Sequence, residues 1–309
     1  MKCCDFYPHL TLFWLLLGGA AQAADLVSAG ELSRHNFFYA GEAHHENMYI
    51  VRAGEIVWQY QHPADGEISD ATLLPDGRIL FAHQHGVTLI NAAKEILWHH
   101  EAPAGTEIHT AQMLDANRLF YIQNGNPAKC VTFNVCSNNV ESEFVLPTGN
   151  PNSVHGQFRH ARLTPAGTLL VAHMDIGRVT EYDWHGKPLW SQAVPGVWSA
   201  VRLANGHTLA TSSRNFVREY NSQGQVVWEW TTADAPQYPG LNLQLACRLP
   251  NGNTLINSWF NEWSGKVDPT NAPPQALEIT PEKKIVWVLR AWAEPVNLGP
   301  ATTIQLLDQ

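Results

Sequence analysis

The side chains of this 309-residue chain that could do chemistry are mostly histidines. The segment Ser153-Val-His155-Gly-Gln-Phe-Arg159-His160 brings two imidazoles and a guanidinium close together, and His109 stands in the earlier run Glu107-Ile-His109-Thr110. An imidazole exchanges protons near neutral pH or attacks as a nucleophile, and a guanidinium steadies negative charge. His160, His155 and His109 are therefore candidate nucleophiles or general bases, with Arg159 and Arg214 as their anion-holding partners. A second group is Glu42-Ala-His44-His45-Glu46 together with His83-Gln-His85. His83 and His85 are two apart in an apparent strand, so their side chains share a side. With His44 or His45 they form a candidate divalent-metal set, since imidazole is a common ligand. His62, His99 and His100 follow blade-closing tryptophans and read as solvated. A third feature is the run Trp259-Phe260-Asn-Glu-Trp263 in the long stretch between Asn257 and Ala276. Trp259, Phe260 and Trp263 offer flat faces to a sugar ring or aromatic ligand, and a loop of that length reads as a lid or binding surface.

These residues are placed by a chain that repeats itself. A Trp closes a short strand-turn-strand unit at Ile50–Trp58, Ile90–Trp98, Tyr182–Trp190, Tyr220–Trp228 and Ile279–Trp287. A second unit interleaves with it: Leu74-Pro-Asp-Gly77, Leu203-Ala-Asn-Gly206 and Leu249-Pro-Asn-Gly252, each followed by a β-type run. Leu114-Asp-Ala-Asn117 replaces the glycine with the next residue most tolerant of positive φ, and Leu163-Thr-Pro-Ala-Gly167 reads as one residue longer. Asp-Gly and Asn-Gly between apolar runs signal hairpins. Together the units give four short strands per repeat, the wording of a β-propeller blade.

Five repeats are complete, and the ends of the chain supply a sixth. Thr302–Leu307 reads as an innermost strand without its partners, and Phe37–Ala40, Asn47–Ile50 and Glu55–Trp58 are the partners without an innermost strand. The expected fold is all-β: a six-bladed propeller, residues 24–309, closed by pairing of the N- and C-terminal strands, which leaves no exposed sheet edge. The third blade lacks its Trp and uses Val140–Leu146. Counting three residues back from the turns gives Ala71, Ala111, His160, Ala200 and Ala246, so His160 stands out as the copy that breaks the rule.

Residues 10–20 form an apolar run ending at Ala21-Gln22-Ala23, so residues 1–23 read as a secretory leader and the protein as exported, to a periplasm or beyond. In an oxidising compartment Cys130 and Cys136 are close enough in sequence to be a disulfide pair, and Cys247 reads as a buried small hydrophobe. The formal charge is −9 with only 15% charged residues, which argues against sequence-blind nucleic-acid binding. No later segment is apolar enough for a transmembrane span.

The Gly-Lys-x-x-Trp190 and Gly-x-Val-Val-Trp228 endings, with Leu249-Pro-Asn-Gly252 between such units, resemble the repeats of pyrroloquinoline-quinone-type propellers and of bacterial arylsulfotransferases over nearly the whole mature chain. The resemblance implies the propeller fold. For arylsulfotransferases it implies a histidine that takes up a sulfuryl group, helped by further His and Arg at the propeller centre; no histidine here is matched to that family's positions. Quinone-dependent members have eight blades and often a vicinal cysteine pair, whereas the vicinal pair here, Cys3-Cys4, lies in the leader, so the quinone is not expected. Two functions follow. The first is a binding module that presents a His/Arg and aromatic pocket to a small molecule, glycan or partner protein. The second is an enzyme of the channel, for sulfuryl transfer or cleavage of acidic polysaccharide. The first leads, because spacing alone assembles no complete catalytic set.

Overall fold

The structure is a computed structural model that describes residues 31–41, 47–63, 67–259, 272–293 and 296–308. Residues 1–23, expected to be a leader, and His44, His45, Phe260 and Trp263 lie outside the described residues. Six four-stranded antiparallel sheets surround one axis. Written from the innermost strand outward, blade 1 is Ala301–Leu306, Phe37–Gly41, Asn47–Arg52 and Glu55–Gln61. Blade 2 is Asp70–Leu73, Ile79–Ala82, Gly86–Ile90 and Ile96–Glu101, and blade 3 is Glu107–Met113, Arg118–Asn124, Ala128–Asn134 and Asn139–Leu146. Blade 4 is Phe158–Leu163, Leu169–His173, Arg178–Tyr182 and Pro188–Ala193. Blade 5 is Val197–Arg202, Thr208–Ser212, Phe216–Tyr220 and Val226–Thr231, and blade 6 is Leu243–Arg248, Thr254–Ser258, Ala276–Ile279 and Ile285–Leu289. Among the described residues no helix is long and apolar enough to cross a membrane.

The ring closes as the sequence predicts. Tyr39 pairs with Ile304 and Phe38 with Gln305 in one sheet. Side chains from adjacent blades interlock in apolar clusters; between blades 1 and 2 these include Phe38, Met48, Ile68, Ile79 and Phe81. Burying one such side chain contributes roughly 1.5–3 kcal/mol. Four closing tryptophans reach beyond their own blade. Trp58 Nε1 donates to the carbonyl of Ala92, Trp98 to Asn138 Oδ1, Trp228 to the carbonyl of Pro281, and Trp287 to the carbonyl of Glu31. The first three of these acceptors lie in the outer hairpin of the next blade.

Two turn readings change. Gly54, Gly186 and Gly224 have φ near +80°, and Lys94 and Lys283 hold the same place in their repeats at φ +70° and +69°. Asn117 does not adopt positive φ; its turn is held instead by the Asp115 carboxylate, which accepts from the Asn117 and Arg118 N–H groups. The second correction concerns blade 4. The first turn residue donates its N–H to the carbonyl four residues on at Leu74, Leu114, Leu203 and Leu249, and in blade 4 that residue is Thr164, not Leu163. The turn is of ordinary length. Its copy of the small residue is Ala161, paired with Val171 as Ala111 is with Tyr121.

The expected disulfide is also corrected, since Cys130 and Cys136 are free thiols. Cys130 is buried mid-strand, paired with Ile122 and Phe144, while Cys136 lies beyond the strand's end at Asn134. An extended strand carries the chain about 13 Å between residues 130 and 134, well past disulfide reach. Cys136 Sγ instead contacts Asn117 Oδ1 at 3.2 Å. Cys247 is a partly buried thiol whose pKa desolvation pushes up to about 11.

Candidate active site

With the register corrected, the six inner strands form tiers. The uppermost is Thr302, Ser69, His109, Arg159, Trp198 and Gln244, one residue from each blade. Beneath it lie Thr303, Asp70, Thr110, His160, Ser199 and Leu245, and then Ile304 with five alanines, the small residues the close approach of six strands demands. His109 and Arg159 thus occupy the same position in neighbouring blades, and His160 belongs to a polar tier rather than breaking an alanine one.

The upper tier opens on the face that carries the loops between second and third strands. Gln84, in one such loop, accepts from the Ile108 N–H, and Met174, in another, donates to the Gln157 carbonyl. On the blade 2–4 side this mouth gathers Glu67, Ser69, Glu107, His109, His155 and Arg159. His109 is fully buried, with Nε2 2.7 Å from Glu107 Oε2 and Nδ1 2.9 Å from Glu67 Oε1 and 2.7 Å from Ser69 Oγ. His155, on the short 3-10 turn Val154–Gly156, is the exposed member at 54%. Its Nδ1 is 2.8 Å from the same Glu107 oxygen, and its Nε2 is 2.5 Å from Arg159 Nη2. Arg159 Nη1 lies 3.0 Å from Glu67 Oε1, an ion pair without hydrogen-bond alignment. Gln84 Nε2 donates to the other oxygen of Glu107 at 3.1 Å.

The electrostatics are self-consistent. Burial works to raise the pKa of Glu107, but hydrogen bonds from His109 and His155 outweigh it and hold the carboxyl well below its usual range. Burial likewise opposes ionisation of Glu67, and the His109 hydrogen bond and Arg159 charge overcome it. Both carboxylates are therefore ionised at neutral pH. A His155 that donates from Nδ1 to Glu107 accepts at Nε2 from Arg159, which places a base lone pair at the exposed edge of the cluster.

The other sequence candidates fall elsewhere. His160 is buried one tier down, with Nδ1 4.0 Å from Asp70 Oδ2 and neither ring nitrogen hydrogen-bonded. Burial, then the charges of Arg162 and Arg159, keep its pKa well below the ordinary value, so it is neutral. Asp70 is instead held by Arg162, which crosses the channel from blade 4 with bonds of 2.7 and 2.8 Å, and by Thr110 at 2.7 Å. Below this plug the channel holds an open cavity of about 260 Å³ lined by Ala71, Gln112, Arg162, Ala200, Cys247 and Gln305 among others. Arg214 is exposed in a loop of the same face as the mouth. Trp259 packs on Trp198 of the upper tier, ring centroids 5.9 Å apart.

His83 and His85 do not share a side as expected, and their proposed partners His44 and His45 lie outside the described residues. The strand ends at Ala82; Gln84 takes φ +56° and the chain turns, leaving His83 buried and His85 exposed. His83 instead meets His62, ring centroids 4.3 Å apart, and bonds Thr88, which also bonds His99. His62 is thereby enclosed, with both ring nitrogens buried, rather than solvated. Another set, Glu67, His109 and His155, offers three donor atoms within 4.8 Å of one another. Arg159 spans two of the three, which supplies the positive charge an ion would bring.

Sequence reasoning misses Glu67 and Glu107. The signal was present: Glu67-Ile68-Ser69 and Glu107-Ile108-His109 repeat one wording in one register, and residues two apart on a strand share a face.

No family model matches the sequence, and no curated protein matches it. Among solved structures the chain resembles a protein of unknown function from Bacteroides caccae, at TM-score 0.73 and 26% identity, covering 89% of this chain and 100% of that one. It also resembles a streptogramin B lyase, at TM-score 0.57 and 12% identity over 85% of each chain. A catalytically inactive His-to-Ala form of virginiamycin B lyase from Staphylococcus aureus, with quinupristin, matches at TM-score 0.56 and 12% identity, covering 84% of this chain and 86% of that one. The two lyases share the fold with this chain.

Proposed function

We propose that the chain is an enzyme whose active centre is the channel mouth, working by imidazole proton transfer on an anionic substrate. The observation that supports this reading is the exposed His155 braced between Glu107 and Arg159. In this scheme His155 Nε2 takes a proton from the hydroxyl or water that attacks an aryl sulfate, or from the carbon beside the carboxylate of an acidic sugar; the bond to the leaving oxygen breaks, and the imidazolium returns the proton to that oxygen. Glu107 fixes the tautomer and steadies the imidazolium that forms. Arg159 pairs with the substrate's negative group, and His109 with Glu67 holds Glu107 in place. Acidic oligosaccharides and aryl sulfates are the substrate classes, the latter following from the repeat resemblance. Residues 1–23 belong to the same reading as an export leader.

A second reading, binding without chemistry, is favoured by one observation: Arg159 already satisfies the lone pair of His155. Turnover separates the two. Wild type is screened on uronic-acid oligosaccharides and aryl sulfates beside His155→Gln. The enzyme reading expects turnover that falls about 10²–10⁴-fold in the variant. Turnover equal in both removes His155 from the chemistry. Binding by wild type with no turnover of either class leaves the binding module.

A further inference from the structure

We infer that Arg159 is a releasable cap on His155, withdrawn by the anionic group of the ligand, so that the site becomes competent only for a ligand carrying a carboxylate or sulfate beside the reacting position. This rests on the preceding reading for the role of His155, and its test does not require turnover.

Three features carry the inference. First, the cap is in place: Nη2 of Arg159 lies 2.5 Å from His155 Nε2, the nitrogen Glu107 does not use. Second, the guanidinium is underused. Its partners among the described residues are His155 and Glu67, and the buried Nη1 faces Glu67 at 3.0 Å without making a hydrogen bond. A buried donor in that state has hydrogen-bonding capacity left for a second acceptor. Third, access is ordered. The Arg159 side chain is 7% exposed and the His155 side chain that it bonds is 54% exposed, so a ligand meets the imidazole before the guanidinium.

The exchange is favourable in kind. A neutral imidazole nitrogen is a single uncharged acceptor. A carboxylate or sulfate offers two oxygens and full charge to the planar fork of arginine, a bidentate pairing that adds geometric fit as well as energy. Glu67 remains behind the guanidinium, so the arginine turns rather than leaves. A neutral ligand provides no such exchange and finds the lone pair blocked. Selectivity for anionic substrates then comes from unmasking the base as well as from attraction.

The test follows the ring nitrogens of His155 by NMR in protein labelled with ¹⁵N-histidine, with sulfate and glucuronate as anionic probes and methyl glucoside as the neutral one. Expected is movement of the Nε2 signal toward that of an unbonded nitrogen with either anion and none with the glucoside. Arg159→Gln shows the unbonded signal without any probe and does not respond. Arg159→Lys, which keeps the charge if the Gln variant fails to fold, needs at least tenfold more anion for the same movement. A Nε2 signal unmoved by both anions up to their solubility, or an Arg159→Gln protein with the wild-type signal, overturns the proposal. A moved signal in a protein that turns nothing over keeps the cap and rejects the enzyme.

Discussion

Replacing Glu107 by Gln preserves the shape of the residue that joins the two histidines, removes its charge, and turns the oxygen that faces the Gln84 amide into a donor. One Glu107 oxygen receives His109 Nε2 at 2.7 Å and His155 Nδ1 at 2.8 Å. Hydrogen bonds to a charged group contribute about 1.5–3 kcal/mol and neutral ones about 1 kcal/mol, so each histidine bond loses about 1 kcal/mol and the protein about 2 kcal/mol. The effect depends on pH with a defined sign. The Glu107 carboxyl sits below its unfolded value, so its contribution is complete above an ordinary carboxyl pKa near 4.3 and is lost as the pH falls toward the folded value. Urea unfolding of wild type and Glu107→Gln should differ by about 2 kcal/mol at pH 7, and the gap should close below about pH 4. Turnover should fall about 10–100-fold, less than for His155→Gln, because the carboxylate orients the base without touching substrate. Equal stabilities at pH 7, or a gap that widens in acid, would refute this account of the cluster.

Three further outcomes are expected. Arg162→Met strands the buried Asp70 and should cost about 3–5 kcal/mol in urea unfolding, with part recovered in the Arg162→Met/Asp70→Asn double variant; an unchanged midpoint in the single variant contradicts the cross-channel pair. Burial, and then repulsion by His99 on His62 and by His62 and His99 on His83, lower the His62 and His83 pKa values to about 4 and about 3. The fold therefore keeps these rings neutral, their contribution is complete above about pH 6.5, and stability falls as the pH drops through about 4; His62→Leu should flatten that slope, and parallel slopes would count against it. In native protein iodoacetamide should label the exposed Cys136 well before the buried Cys130, which reacts only after unfolding, and a reductant should leave the melting temperature unchanged.

Much of the architecture was legible because its signals are local. The Leu-x-x-Gly turns and the closing tryptophans depend on a few adjacent residues, and the split blade could be read from two incomplete halves. Blade 4 shows where such reading ends. Taking Leu163 rather than Thr164 as the first turn residue moves the strand by one, and in a β-strand that puts every side chain on the opposite face. The slip hid the tier shared by His109 and Arg159 and promoted His160, a neutral buried residue, in their place. The Glu67–Arg159 and Asp70–Arg162 pairs join blade 2 to blade 4 across the axis, and no pattern along the chain encodes a contact of that kind. Cys130 and Cys136 mislead for a related reason: proximity in sequence means separation in space when the intervening residues are extended.

The most direct test of the channel-mouth centre is a crystal structure of the protein soaked with glucuronate. The account predicts the carboxylate on the Arg159 guanidinium at the upper tier, with the sugar against His155 and the His155 Nε2 free of the arginine. Glucuronate seated in the lower cavity or on the outer strands, with Arg159 still on His155, would contradict it.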